Sequence, residues 1–303
     1  MAVAKRLRIY LDPGMRAAAQ AGKHNFLRLV QEVCEGEGFT VEFCPSSERE
    51  RLKSAARRGY TLFHMEPPFH PRALTFRRVY HYPFWQIEAS EKRWEWEVTC
   101  TPFEPANTDP VQAKSFADRW RNTLFADWPA PSRSGFVYIP LQGRLRDHRS
   151  FQSCSPLAMI ETTLAQERNR PIVAALHPRE VYTPEEIDAL QALAARHPRL
   201  TIETGGMERL LPACDYVVTQ NSSVAFMGYY LHKPAILFGQ IDFHHIAVSA
   251  ATDPEAAFAR ILSHSPDYDR YLHWFLQEKA INAGRPDAKA QILTTLRARG
   301  WEI

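Results

Sequence analysis

Three short segments carry side chains suited to holding and moving a charged group. The first is Cys214–Gly239, CDYVVTQNSSVAFMGYYLHKPAILFG. Its apolar run Tyr216–Thr219 ends in Gln220-Asn221-Ser222-Ser223, where a helix should begin. Backbone N–H groups and hydroxyls at a helix start form an anion site, and Asn and Ser are also strongly preferred as simple caps; both readings stand. The second segment is Leu176-His177-Pro178-Arg179, directly after the apolar run Ile172–Leu176. An imidazole donates to phosphate and a guanidinium forks onto it; the plainer reading is a loop histidine before a turn-forming proline. The third is Ile139–Ser150, with Gln142, Arg144, Arg146, Asp147 and Arg149. Asp147 has the chemistry of a nucleophile or an acid/base group, and the arginines could hold a negatively charged substrate. The alternative is a solvated basic loop neutralised by its aspartate.

The elements that must position these residues follow from periodicity. In the first half, strand patterns at Arg6–Leu11, Phe39–Cys44 and Tyr60–Met65 alternate with helical patterns at His24–Glu37 and Ser46–Arg58. That order favours a parallel sheet with crossover helices. Pro67–Trp96 breaks the rhythm with four prolines and a run of aromatics, and Val111–Thr123 resumes as a helix. The turn-rich stretch Trp128–Gly135 reads as an interdomain linker. A second series follows. Its strands are expected at Phe136–Leu141, Ile172–Leu176, Leu200–Glu203, Tyr216–Thr219 and Ala235–Phe238. Its helices are expected at Pro156–Gln166, Thr183–Arg196, Met207–Ala213, Ser222–Tyr230 and Asp253–Ser263, with tail helices near Pro266–Glu278 and Arg285–Arg299. The expected architecture is two Rossmann-like α/β domains facing a cleft: residues 1–132, residues 133–265, and C-terminal helices 266–303 packing back across both. All three candidate segments then follow strands, at the sheet edge where open α/β sheets take ligands.

The chain has 303 residues, with 37 Lys+Arg against 34 Asp+Glu. That excess is too slight to argue for nucleic-acid wrapping or a polybasic membrane anchor. Five scattered cysteines without a CxxC pair argue against a disulfide framework and for a reducing compartment. No 18-residue apolar run predicts a transmembrane segment, and the apolar stretch after Lys5, Arg6 and Arg8 is too short for a signal peptide. The expectation is a cytoplasmic protein.

Other features have plainer readings. Asp267-Tyr268-Asp269 matches a metal-binding pattern but sits where a helix cap belongs. His244 and His245 follow the last strand of the series and could line the cleft, although neither they nor His64 and His70 show metal-ligand spacing. The Tyr80–Trp96 aromatics suit either a glycan-stacking surface or a core.

Taken together, Pro-Leu-Gln142 followed by Asp147, His177-Pro178, and Asn221-Ser222-Ser223 before Lys233-Pro234 and a strand resemble capsule polysaccharide biosynthesis glycosyltransferases, chiefly their Kdo-transferase-like members with the GT-B fold. The resemblance spans Phe136–His245. It implies a transferase moving sugar from a nucleotide-sugar to a bacterial surface polysaccharide or glycolipid. His177, Arg179, Asn221, Ser222 and Ser223 would hold the donor phosphate, with Gln142 and Asp147 at the reaction centre and Arg144, His244 and His245 lining the cleft. It implies no metal and no cofactor beyond the nucleotide-sugar substrate. Partners would be a glycan or glycolipid acceptor and other polysaccharide assembly proteins, and no nucleic acid, at a cytoplasmic location that could be peripheral on the inner membrane. Two departures from the family pattern keep other readings open: four residues separate Gln142 from Asp147, and the helix Val224–Gly228 carries no acid. These readings are a nucleotide-sugar epimerase and a non-catalytic nucleotide- or sugar-binding partner.

Overall fold

The computed structural model describes residues 4–303; the first three residues of the expected N-terminal domain lie outside the described residues. The chain divides into two compact units, Met1–Cys100 with Phe275–Ile303, and Thr101–Trp274. The turn-rich stretch 128–135 therefore lies inside the second unit. Residues 101–132 belong with that unit, and the tail divides between the two at 274/275.

The first unit opens with β1 (Arg6–Leu11), α1 (Pro13–Gln20), α2 (Asn25–Gly36), β2 (Thr40–Pro45), α3 (Glu48–Ala56) and β3 (Tyr60–His64). Two strands then arise inside the proline-rich segment, β4 (Ala73–Arg78) and β5 (Phe84–Glu88), before the short α4 (Glu97–Cys100). α2 forms because Phe26, Leu27, Val30 and Val33 recur at helical spacing and all are buried. Ser47 caps α3 by accepting from Glu50 N at 3.3 Å. β1 reads as alternating in sequence, yet residues 7–11 are all buried. Arg8 is tolerated there because it donates to Glu42 at 3.1 Å and to the Arg58 carbonyl at 3.0 Å.

The second unit holds α5 (Pro110–Leu124), β6 (Val137–Pro140), α6 (Pro156–Gln166), β7 (Ile172–Leu176), α7 (Pro184–Arg196), β8 (Leu200–Thr204), α8 (Met207–Ala213), β9 (Tyr216–Thr219), α9 (Ser223–Tyr230), β10 (Ala235–Leu237), β11 (Val248–Ser249), α10 (Pro254–Arg260) and α11 (Tyr268–His273). The chain then returns to the first unit with β12 (Ile281–Asn282) and α12 (Ala288–Ala298).

The first sheet has the order β12-β5-β4-β3-β1-β2; β1 to β4 run parallel, and β5 and β12 pair antiparallel at one edge. Its core runs from Leu7 and Ile9 through Phe26, Phe76 and Trp85 to Ile292 and Trp301. The second sheet is wholly parallel, in the order β11-β10-β9-β6-β7-β8. Counted from its own first strand that is 6-5-4-1-2-3, the doubly wound nucleotide-binding order, with its switch point between β6 and β9. Val137, Ile139, Ile172, Val218 and Ile236 fill its centre. All six strands end on one edge, so the loops carrying Gln142–Asp147, His177–Arg179 and Asn221–Ser223 emerge together.

Candidate functional site

The loop after β6 is held from inside. Leu145 is fully buried in the core of the second unit, and its N–H donates to the Glu186 carboxylate. Glu186 also accepts from Thr183 N at 2.9 Å while Thr183 Oγ1 accepts from Glu186 N at 3.3 Å, a reciprocal cap that starts α7. One glutamate thus fixes a helix start and the loop opposite it. Around that anchor the functional side chains face outward. Gln142 is half-buried, Arg144 has a left-handed φ of 64°, and Asp147 is 57% exposed with Oδ2 at 4.0 Å from Arg144 Nε. Arg149 lies over the Phe151 ring at 4.8 Å, and its Nε is buried without a hydrogen-bond partner. Burial pushes the Arg149 pKa down, Arg144 adds to that, and Asp147 and Glu180 oppose it.

The loop after β7 meets this one. A Cβ built on Gly143 would stand 2.8 Å from Glu180 Oε2, so that carboxylate lies directly against the Gly143 backbone. His177 is exposed; its Nδ1 accepts from Arg179 N at 3.2 Å, and its own N–H donates to Tyr182 Oη at 2.8 Å. With Nδ1 an acceptor, the ring proton belongs on Nε2, which makes His177 an outward donor. Arg179 is also exposed.

At the switch point Ser222 is buried and caps α9, accepting from Val224 N at 3.3 Å, while its own N–H donates to Thr219 Oγ1 at 3.2 Å. The capping reading thus holds for Ser222. Asn221 is half-buried and Ser223 is exposed on the first turn. Gln220 Nε2 donates to the Cys154 carbonyl at 3.0 Å, and Gln152 Oε1 accepts from Arg149 N at 2.8 Å. Gln220 Oε1 and Gln152 Nε2 are buried without a partner. Ser153 N donates to Phe238 O at 2.8 Å and Gln240 N to Phe151 O at 2.8 Å, so the loops after β6, β9 and β10 are stitched together. Gly239 is required there: a Cβ would meet Gln220 O at 2.9 Å and Phe151 O at 3.2 Å.

His244 and His245 stack on each other at 4.2 Å. His244 is exposed, with Nδ1 at 3.1 Å from Ile241 O. His245 uses both nitrogens inside the second unit, toward Tyr271 Oη and Thr101 O, each at 3.1 Å. Asp267 caps α11, accepting from Arg270 N at 3.0 Å, and Asp269 pairs with Arg121 at 3.2 Å and His232 at 3.3 Å. Among the described residues no three His, Cys, Asp or Glu side chains converge to hold a metal ion, and no helix is long and apolar enough to cross a membrane. Sequence reasoning passed over Glu180 and gave no role to Gln152 or Gln220. Glu180 stood one residue past the His-Pro-Arg motif, and the two glutamines matter only through contacts across loops.

No family model matches the sequence, and no curated protein matches it. Solved structures do. Thermosulfurimonas dismutans KpsC, a beta Kdo 2,7 transferase, matches at 12% identity over 95% of this chain and 99% of that chain, with a TM-score of 0.55. WaaG, a glycosyltransferase involved in lipopolysaccharide biosynthesis, matches at 8% identity over 97% of this chain and 99% of that one, with a TM-score of 0.38. The Neisseria meningitidis UDP-GlcNAc 2-epimerase matches at 11% identity over 97% and 99%, with a TM-score of 0.39. The first of these likenesses establishes the fold: both α/β units follow the GT-B plan that the sequence resemblance implied. The other two are too distant to argue from.

Proposed function

We propose that this chain is a glycosyltransferase that takes a nucleotide-sugar on the carboxyl edge of its second sheet. The observation that carries the reading is the strand order of that sheet. It brings Asp147, His177 and Ser223 to one edge around a switch point, and the whole chain has the fold of a sugar transferase. His177 Nε2, Arg179, Asn221 and the first turn of α9 at Ser223 would hold the donor phosphates, with Ser222 keeping that turn in shape. These donors are fixed before the reaction, so they stabilise charge developing on the departing nucleotide without reorganising. Asp147 would act as nucleophile or base, with Gln142 beside it and Arg144 holding its carboxylate forward; His244 lies further along the same edge. The chemistry needs no metal. The acceptor would be a capsule-type polysaccharide or glycolipid of a bacterial surface. It would be met on the cytoplasmic side, at the inner membrane face or beside other assembly proteins.

The test is a thermal-shift screen against the CMP, UDP and GDP nucleotides and their sugars. A ligand at a hundred times its dissociation constant should stabilise the fold by about 2.7 kcal/mol. A shift specific to one base, lost in His177→Ala and kept in Asp147→Ala, supports the donor site and names the nucleotide. Absence of any shift from folded protein favours a non-catalytic partner.

A further inference from the structure

The first sheet has a switch point of its own, and nothing above uses it. Its parallel strands run in the order β4-β3-β1-β2, so the winding reverses between β1 and β3, where open α/β sheets of this order also bind ligands. The residues at that edge are unusual. Asp12 follows β1, His64 ends β3, Arg77 and Arg78 end β4, and His24 caps α2. The two imidazoles rest on one aromatic platform. His24 meets Trp85 edge-on at 5.3 Å, His64 lies 5.0 Å from Phe76, and Phe76 and Trp85 are 6.1 Å apart. Burial pushes both histidines below their ordinary range, and Arg78 pushes each further down. For His64, Asp12 acts upward while Arg77 and His24 act downward, so these five groups share one electrostatic neighbourhood. Asp12, the only carboxylate among them, is committed to the backbone: its Oδ1 accepts from Met15 N at 2.9 Å to cap α1. Three of the large exposed apolar side chains, Met65, Phe69 and Tyr82, lie on the loops that leave β3 and β4 at this same edge.

A guanidinium and two imidazoles on one face at a switch point are the groups that recognise an oxyanion. We propose that His24, His64 and Arg78, on one face of that edge, form a binding site for an oxyanion, phosphate or carboxylate, with Met65 and Tyr82 taking the apolar part of the same molecule. Assigning that molecule as the acceptor of the transfer rests on the reading above; the anion site does not. Binding an anion favours the protonated imidazoles, so affinity should rise as pH falls through the histidine range.

The experiment follows the His24 and His64 ring nitrogens of the full chain by NMR across pH, with and without inorganic phosphate and, separately, acetate. Bound anion should move the His64 midpoint upward by about half a pH unit or more, and His197, in the second unit, should not move. In Arg78→Ala, whose side chain is exposed, phosphate should bind at least about fivefold more weakly. A response to phosphate alone names a phosphate site, and a response to both names a general oxyanion site. No movement of His64, or the same movement at the same phosphate concentrations in Arg78→Ala, overturns the proposal. Because no nucleotide is present, failure here leaves the donor site standing, and a missing nucleotide shift leaves this site standing.

Discussion

In the proposed transfer, Asp147 and His177 would divide the chemistry between them by how each is held. His177 is oriented by its own turn and offers a fixed donor, whereas Asp147 stands 57% exposed, with its carboxylate 4.0 Å from Arg144. Asp147→Asn should keep nucleotide binding and lower transfer by about 10²–10⁴-fold, the range for a lost acid/base group; single-turnover assays at saturating donor would separate the two effects. Gly239 is a structural counterpart, since its missing Cβ lets the loops after β6, β9 and β10 close. Gly239→Ala should cost about 1–3 kcal/mol, the usual penalty for forcing atoms into a packed site. Chemical denaturation would measure it. At this scale the sequence was informative where a residue's role is local. The turn at Ser222 and the cap at Asp267 were readable from their neighbours. Glu180 was not, because its place against Gly143 depends on two loops that are about 40 residues apart.

α7 shows how an element sets the site. Glu186 closes the cap of that helix and also accepts from Leu145 N, so it couples the helix start to the loop that carries Asp147. Glu186→Ala should lose about 1–3 kcal/mol for the buried donors left unmet. It should also loosen the Asp147 loop, seen as faster amide exchange at residues 144–147. Strands and helices with a clean period were legible, and Ile172–Leu176 and Pro156–Gln166 fall where the pattern put them. Three kinds of element were not. α1 begins Pro-Gly and buries only Ala19, so it carries almost no apolar stripe. β4 and β5 sit among prolines and aromatics that suited either a stacking surface or a core; Phe84, Trp85 and Trp96 are buried, as the core reading has it. β11 and β12 span two residues each, too few for any period.

At the scale of the molecule, the chain leaves the first unit at residue 100 and returns at 275 to finish it. β12 pairs with β5, and Trp301 packs on Tyr60 at 4.7 Å. Glu88 is buried beside Arg299 at 2.8 Å, and burial pushes its carboxyl up to about 7 against the pull of that arginine. Removing residues 275–303 should therefore unfold the first unit, which circular dichroism and limited proteolysis would reveal. The tail was expected to pack back, but no local pattern marks residue 275 as the point where it joins the first unit, because that is a property of the fold and not of either segment. The first unit should also be the acid-sensitive one. His24, His64, His70 and His81 are all pushed down by burial, His81 to about 4. A histidine with a depressed native pKa stabilises the fold above its unfolded value, and that stability drains as pH falls toward the native value. His81 alone should account for about 3 kcal/mol lost between pH 6.5 and pH 4, and His81→Phe should flatten the stability curve over that range.

The central claim is that the carboxyl edge of the second sheet holds a nucleotide-sugar. The most direct measurement is isothermal titration of the nucleotide selected by the thermal screen into wild type, His177→Ala and Arg78→Ala. Wild type should bind one equivalent. His177→Ala should bind roughly 10- to 100-fold more weakly, as expected for losing a hydrogen bond to a charged group, and Arg78→Ala should bind as wild type does. Folded wild type that binds no nucleotide, or a His177→Ala isotherm that superimposes on it, would contradict the account.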